Sequence, residues 1–220
     1  IPCPPSEACR GQFIAQFGRR AFRRPLTAEE IGRYEKLLAT QADWLAGAQV
    51  VVEAMLQSPH FLFHLEPGAY GVAARLSYFL WDTMPDETLL QAAERGELDT
   101  AAGIERQVRR MLGDERARAA LNGFLGQWLR FDRVRGAIRD RRLFPEFTTE
   151  LVNSMIEETT RLFEHLVWNG QDFRELFTAQ YSFLNPELAK LYGVEAPAEP
   201  WSRVRFPPRS EEHTPELQSR

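Results

Sequence analysis

The stretch PLTAEEIGRYEKLL, residues 25–38, decides the fold class. Thr27 precedes Glu30 by the spacing of a capping box. There the threonine hydroxyl takes the Glu30 amide and the glutamate carboxylate reaches back to the Thr27 amide. Leu26 and Ile31 stand at the two positions of a hydrophobic staple. Ile31, Tyr34, Leu37 and Leu38 then recur at helical spacing, and Pro25 stops the segment before them.

Working outward, the same signals repeat. Residues 8–22 set Phe13, Ile14, Phe17, Ala21 and Phe22 near one helical face, with Arg19, Arg20, Arg23 and Arg24 mostly on the other or just beyond. A third helix follows Asp43, carries Leu45, Ala48, Val51, Val52, Met55 and Leu56, and ends near Ser58-Pro59. A fourth runs from about Val72 to Trp81. Pro85 and Asp86 open a short helix closed by Gly96; Asp99 is expected to cap the next, which Gly113 ends. Residues 115–131 read as a long helix, 132–144 as an Arg-rich loop, and 149–168 as the longest helix. Asp172 starts a short one, and Asn185-Pro186 starts the last, closed by Gly193. No alternating run with hairpin chemistry predicts a strand.

The expected fold is therefore all-α, about nine helices in two packed, orthogonal-bundle-like units. A Cys/Pro-rich lead-in occupies 1–7, a smaller helical domain 8–66 and a larger one 70–194, joined near Pro67-Gly68. Residues 195–208 turn Pro-rich and read as a linker or a truncated next domain. The expected core is Phe17, Phe22, Leu37, Phe61, Phe63, Leu76, Phe79, Trp81, Phe124, Trp128, Phe163, Phe183 and Tyr192.

Composition excludes several classes. The 220 residues are 44% hydrophobic and 26% charged, an ordinary globular balance. The net charge of -4 argues against a general electrostatic grip on nucleic acid. The Arg-rich segment 133–142 does not change this, because Glu and Asp balance the charge elsewhere. No apolar run of about 18 residues exists, so no membrane span is expected. Arginine dominates the basic residues, with Lys36 and Lys190 the only lysines; a GC-rich bacterial genome accounts for that.

Both ends are unusual. The chain starts at Ile1, so a missing leader says nothing about secretion. Residues 209–219 read RSEEHTPELQS and follow Pro207-Pro208 abruptly. They resemble the translation of a common sequencing adapter, RSEEHTSELQS, with a difference only at Pro215. Residues 209–220 are accordingly read as an adapter artefact, which removes His213 from the candidate ligands.

Few residues carry candidate chemistry. Cys3 and Cys9 can close a small disulfide loop or remain two thiols. They are no zinc site without nearby histidines, and C-x-x-C-H is absent, so no cofactor is expected within these residues. His60 and His64 would share a face on a helix, as metal ligands need, but more simply flank a buried aromatic anchor. Glu158 and His165 lie two turns apart, about 10 Å, and read as a solvated charged face. Asp82 and Asp86 offer paired carboxylates for acid–base work if a cleft joins them; an Asp at a helix start is more often a cap. Arg75, Trp81, Gln127, Trp128 and Tyr181 could form a sugar-stacking surface or simply anchor the core.

Seven strings in order carry a resemblance: FGRRAFRRPLTAEE (17–30), SPHFLFHLE (58–66), RLSYFLWDTMPDETLL (75–90), QVRRMLGDERA (107–117), GQWLRFD (126–132), RRLFPEF (141–147) and YSFLNPELAKLYGV (181–194). Together they are similar to the planctomycete-type cytochrome-associated multidomain proteins, assembled from tandem helical domains of unknown function. The likeness spans nearly all of 1–208, with His64 standing where relatives are expected to carry arginine. It implies the Cys3–Cys9 disulfide, an extracytoplasmic place (periplasm or cell surface), and a c-type haem upstream of these residues. It supplies no catalytic residues. The function it implies is a helical scaffold or interaction segment of a larger haem-associated bacterial protein. Its partners would be neighbouring domains of the same polypeptide and carbohydrate, with no nucleic acid. The alternative is part of an enzyme acting oxidatively or hydrolytically on a polysaccharide or other polymer, with Asp82, Asp86, Arg75 and Trp81 as the residues to test.

Overall fold

A computed structural model describes residues 6–140 and 142–207. Cys3, Arg141 and the adapter-like tail lie outside the described residues. The fold is all-α: 65% helical, with nine helices of seven or more residues among those described and one small two-stranded sheet. No helix there is long and apolar enough to cross a membrane. The chain divides into two compact units, one through Leu121 and one from Asn122.

The first unit begins with α1 (Glu7–Ala21), α2 (Ala28–Leu38), α3 (Trp44–Leu56) and the single turn α4 (Pro59–Leu62). The capping box on α2 forms as its spacing requires: Thr27 Oγ1 accepts from the Glu30 amide at 3.2 Å, and Glu30 Oε2 accepts from the Thr27 amide at 2.8 Å. Phe13, Ile14, Phe22, Leu38, Val51 and Met55 bury between the first three helices, with Leu26 and Ile31 packed against them. Gly47 lets α3 approach the C-terminal end of α2, since a Cβ there would stand 2.5 Å from the Leu38 carbonyl.

The same unit continues with α5 (Gly68–Trp81), α6 (Glu87–Glu94), α7 (Ala101–Leu112) and the start of α8 (Glu115–Leu129). Asp82 takes the left-handed conformation that ends α5. Thr100, not Asp99, caps α7: its hydroxyl accepts from the Gly103 amide at 3.1 Å, while Asp99 belongs to a preceding 3-10 turn, Glu97–Asp99.

The second unit takes the rest of α8, a 3-10 turn at Phe131–Gly136, α9 (Thr149–Trp168), α10 (Glu175–Thr178) and α11 (Pro186–Tyr192). Asn185 caps α11 and Gly193 ends it in the left-handed region, as expected. The sheet was not foreseen: β1 (Tyr181–Leu184) pairs antiparallel with β2 (Ser202–Arg205), Ser182 opposite Val204. Val194, Trp201, Val204 and Phe206 pack on the Leu151–Leu184–Leu188 core. The stretch expected as a linker or truncated domain thus completes this unit.

The expected core is partly wrong. Phe22, Trp81 and Phe163 are buried, but Phe61, Phe63, Phe79, Phe124, Trp128 and Tyr192 are exposed. Helical periodicity identifies an apolar face and leaves open whether a neighbour covers it.

Candidate functional site

Trp81 and Asp86 are brought together, but by arginines and not by a cleft. Trp81 ends α5 buried, and its indole Nε1–H donates to the Met111 carbonyl at 2.9 Å. The Arg116 guanidinium lies 3.5 Å from the Trp81 ring centroid and that of Arg110 5.4 Å, within cation–π range. Asp86 caps α6 through the Leu89 amide and takes a two-pronged ion pair from Arg110 at 2.8 and 3.1 Å. Asp114 holds Arg116 at 2.7 Å, and the paired guanidinium pulls the Asp114 carboxyl well below the usual carboxylate range. Asp82 stands exposed at the turn with no ion-pair partner among the described residues. Arg75 is exposed on α5. The four sequence candidates therefore do not converge, and the buried Trp81 offers no ring face to a sugar.

A second centre escaped sequence reading. Arg23, 2% exposed, sits at φ 54° just past α1. Its Nε–H donates to Glu66, Nη2 to the carbonyls of His60 and Phe63 at 2.8 and 3.0 Å, and Nη1 to those of Ala21 and Phe61 at 3.3 Å. One planar guanidinium thereby satisfies the α4 turn, which fits arginine's fork of five donors. Glu66 Oε2 is buried without a hydrogen-bond partner among the described residues. Phe63 is extended, so α4 ends before His64 and the helical pairing of the histidines does not form. His60 packs on Phe22 and lies 4.0 Å from Glu30, while His64 stacks on Tyr78. No metal-holding group of three His, Cys, Asp or Glu exists among the described residues.

The third centre is in the second unit, where α9 faces β1 and α11. Glu158 accepts from the Tyr192 hydroxyl at 2.8 Å and from Ser182. Burial pushes the Glu158 carboxyl up, against those two hydrogen bonds, and burial beside Glu158 pushes the Tyr192 phenol up. One turn earlier, Ser154 accepts from the Asn185 amide at 2.8 Å and donates to Glu187 at 3.2 Å. His165 meets Tyr181 and Phe183, the opposite face of β1 from Ser182 by strand alternation. Glu158 is thus a half-buried carboxyl held by a hydroxyl from α11. Its signal lay in YSFLNPELAKLYG, which supplies Ser182, Asn185, Glu187 and Tyr192 at 181–193.

Caps, forks and hydroxyl–carboxyl pairs hold the helices of this all-α protein to one another. Residues 68–194 match the family model PSD4, protein of unknown function (DUF1592), and residues 9–66 match PSD5, protein of unknown function (DUF1595). The chain belongs to the PSD4 family, with a PSD5 segment before it. No curated protein and no solved structure matches it. The PSD4 match includes α5–α7, which belong to the first compact unit.

Proposed function

We propose that this chain is a helical scaffold segment of a larger extracytoplasmic, haem-associated bacterial protein. Its domains would run 8–66 and 70–194, joined at Pro67-Gly68. The observation that carries the reading is the employment of its polar residues. Asp86, Arg110, Arg116, Arg23 and Glu66 tie elements together instead of facing a common cleft. The resemblance to cytochrome-associated proteins supplies the haem, upstream of these residues, and the compartment. The Cys3–Cys9 disulfide belongs to the same reading: Cys9 is buried, and an oxidising compartment would favour a bond to Cys3.

The natural full-length protein tests this. Thiol labelling after denaturation should leave both cysteines unmodified unless reductant is added first, and fractionation should place the protein outside the cytoplasm. A haem absorbance band should accompany the full-length protein. Replacing 9–194 by a flexible linker should disrupt assembly of the flanking domains while each keeps its own activity. Reduced cysteines in a cytoplasmic, colourless protein would falsify the proposal.

A further inference from the structure

The long connection between the Phe131–Gly136 turn and α9 carries three exposed apolar residues close together in sequence. Ile138, Leu143 and Phe144 are 93%, 72% and 49% exposed. They fall within one short segment, and the turn at Asp140, whose carbonyl accepts from the amides of Leu143 and Phe144, presents two of them at its tip. Scattered exposed apolar residues need no explanation, but a cluster in one connection marks an interaction surface.

Exposed Asp132, Asp140 and Glu146 accompany the arginines of this connection, and the asymmetry of charge lies in the cavity beside it. Arg133, Arg135, Arg139 and Arg142 are exposed, and of these only Arg142 pairs with a carboxylate among the described residues, Asp140 at 3.5 Å. Phe131 and Val134 are the half-buried residues of the 3-10 turn, which leaves Arg133 and Arg135 on its exposed side. Beside the tip lies a cavity of about 450 Å³ lined by Arg135, Ile138, Arg139, Thr148, Thr149 and Asn153, with no acidic side chain in its wall. Two guanidiniums with hydroxyl and amide groups suit a phosphate diester, and apolar side chains next to them suit the acyl region beneath it.

We propose that this connection docks the second unit onto the surface of an anionic phospholipid bilayer. Leu143, Phe144 and Ile138 enter the headgroup–acyl boundary, and Arg135 and Arg139 hold a lipid phosphate in the cavity. Apolar tips favour a bilayer over DNA or an acidic polysaccharide, neither of which offers an acyl layer for three aliphatic and aromatic side chains. Near an anionic surface each arginine strengthens partitioning about fivefold, and the attraction is screened by salt.

Flotation of the whole chain with vesicles tests it, using phosphatidylglycerol in phosphatidylcholine against phosphatidylcholine alone. The protein should float with the anionic vesicles, and flotation should weaken on going from about 0.05 M to about 0.5 M salt. Arg135→Gln with Arg139→Gln should reduce partitioning by about twentyfold or more. Leu143→Glu with Phe144→Glu should abolish flotation without changing the far-ultraviolet dichroism. Because Ile138 is almost fully exposed, Ile138→Trp should fold, and its emission should shift blue on adding anionic vesicles. Absence of flotation at low salt, equal flotation with neutral vesicles, or an unshifted Ile138→Trp emission overturns the proposal. So does capture by DNA or polyuronate as strong as by vesicles and indifferent to Leu143→Glu, which would make the site a polyanion patch.

Discussion

At the scale of single residues, Glu30 is a buried carboxyl held by both an arginine and a helix cap. The Arg24 guanidinium and the Thr27 amide lower it from 4.5 to about 2, against the opposing effect of burial. A carboxyl lowered by folding stabilises above its ordinary value, and that stability is lost as pH falls through about 2. The difference corresponds to roughly 3 kcal/mol. Urea midpoints from pH 6 to pH 2 should therefore fall less steeply in Glu30→Gln than in the natural sequence. Glu158 carries the opposite sign. Its carboxyl is raised by burial, so its contribution is present at low pH and is lost as pH rises above the ordinary glutamate range. Glu158→Gln should remove that decline while keeping an acceptor for Tyr192; a variant that instead loses stability equally at all pH values contradicts the assignment. Arg23 tolerates least. Arg23→Met strands Glu66 and the carbonyls of the α4 turn, and should cost about 3–5 kcal/mol in denaturant unfolding. Arg23→Lys should rescue little, because one ammonium cannot replace the fork.

At the scale of elements, Asp86 separates a cap from an ion pair. Asp86→Asn keeps an acceptor for the Leu89 amide and loses the charge facing Arg110, whereas Asp86→Ala loses both. Thermal melts should rank the natural chain above Asp86→Asn and that above Asp86→Ala, the last about 1–2 kcal/mol less stable. Equal melting for all three would mean the α6–α7 junction rests on apolar packing alone. Element boundaries were legible to different degrees. Thr27, Asn185 and Gly193 act where their spacing placed them. The start of α7 moved from Asp99 to Thr100 because residues 97–99 form a 3-10 turn, which leaves the extended Thr100 at the capping position. The sheet was invisible because β2, Ser-Arg-Val-Arg, shows a single apolar residue and gains its order from pairing with a distant β1.

At the scale of the molecule, family segments and packing units divide the chain differently. The PSD5 match ends at Glu66, yet the first compact unit continues through Leu121. One apolar cluster of that unit draws on residues 13–55, Trp81, Leu89, Leu98 and Met111 are buried farther along it, and Arg19 bonds Glu87 and Glu94 on α6, beyond the match. A fragment of residues 6–66 should therefore unfold cooperatively but at a lower temperature than residues 6–121, since domains near 60 residues are marginal. A disordered 6–66 fragment would make α5 to α7 part of the same folding unit.

The sequence by itself determined the helical class and most helix starts and stops, because caps and periodicity act over three or four residues. Only the tertiary structure decided which apolar faces are covered, what Arg23 and Glu158 meet, and that residues 202–205 form a strand. Those outcomes depend on groups far along the chain: Arg23 binds carbonyls 37 to 40 residues away, and Glu158 meets Tyr192 at a separation of 34. A buried charge is stable only where such distant partners arrive together, and local spacing carries no record of that arrival.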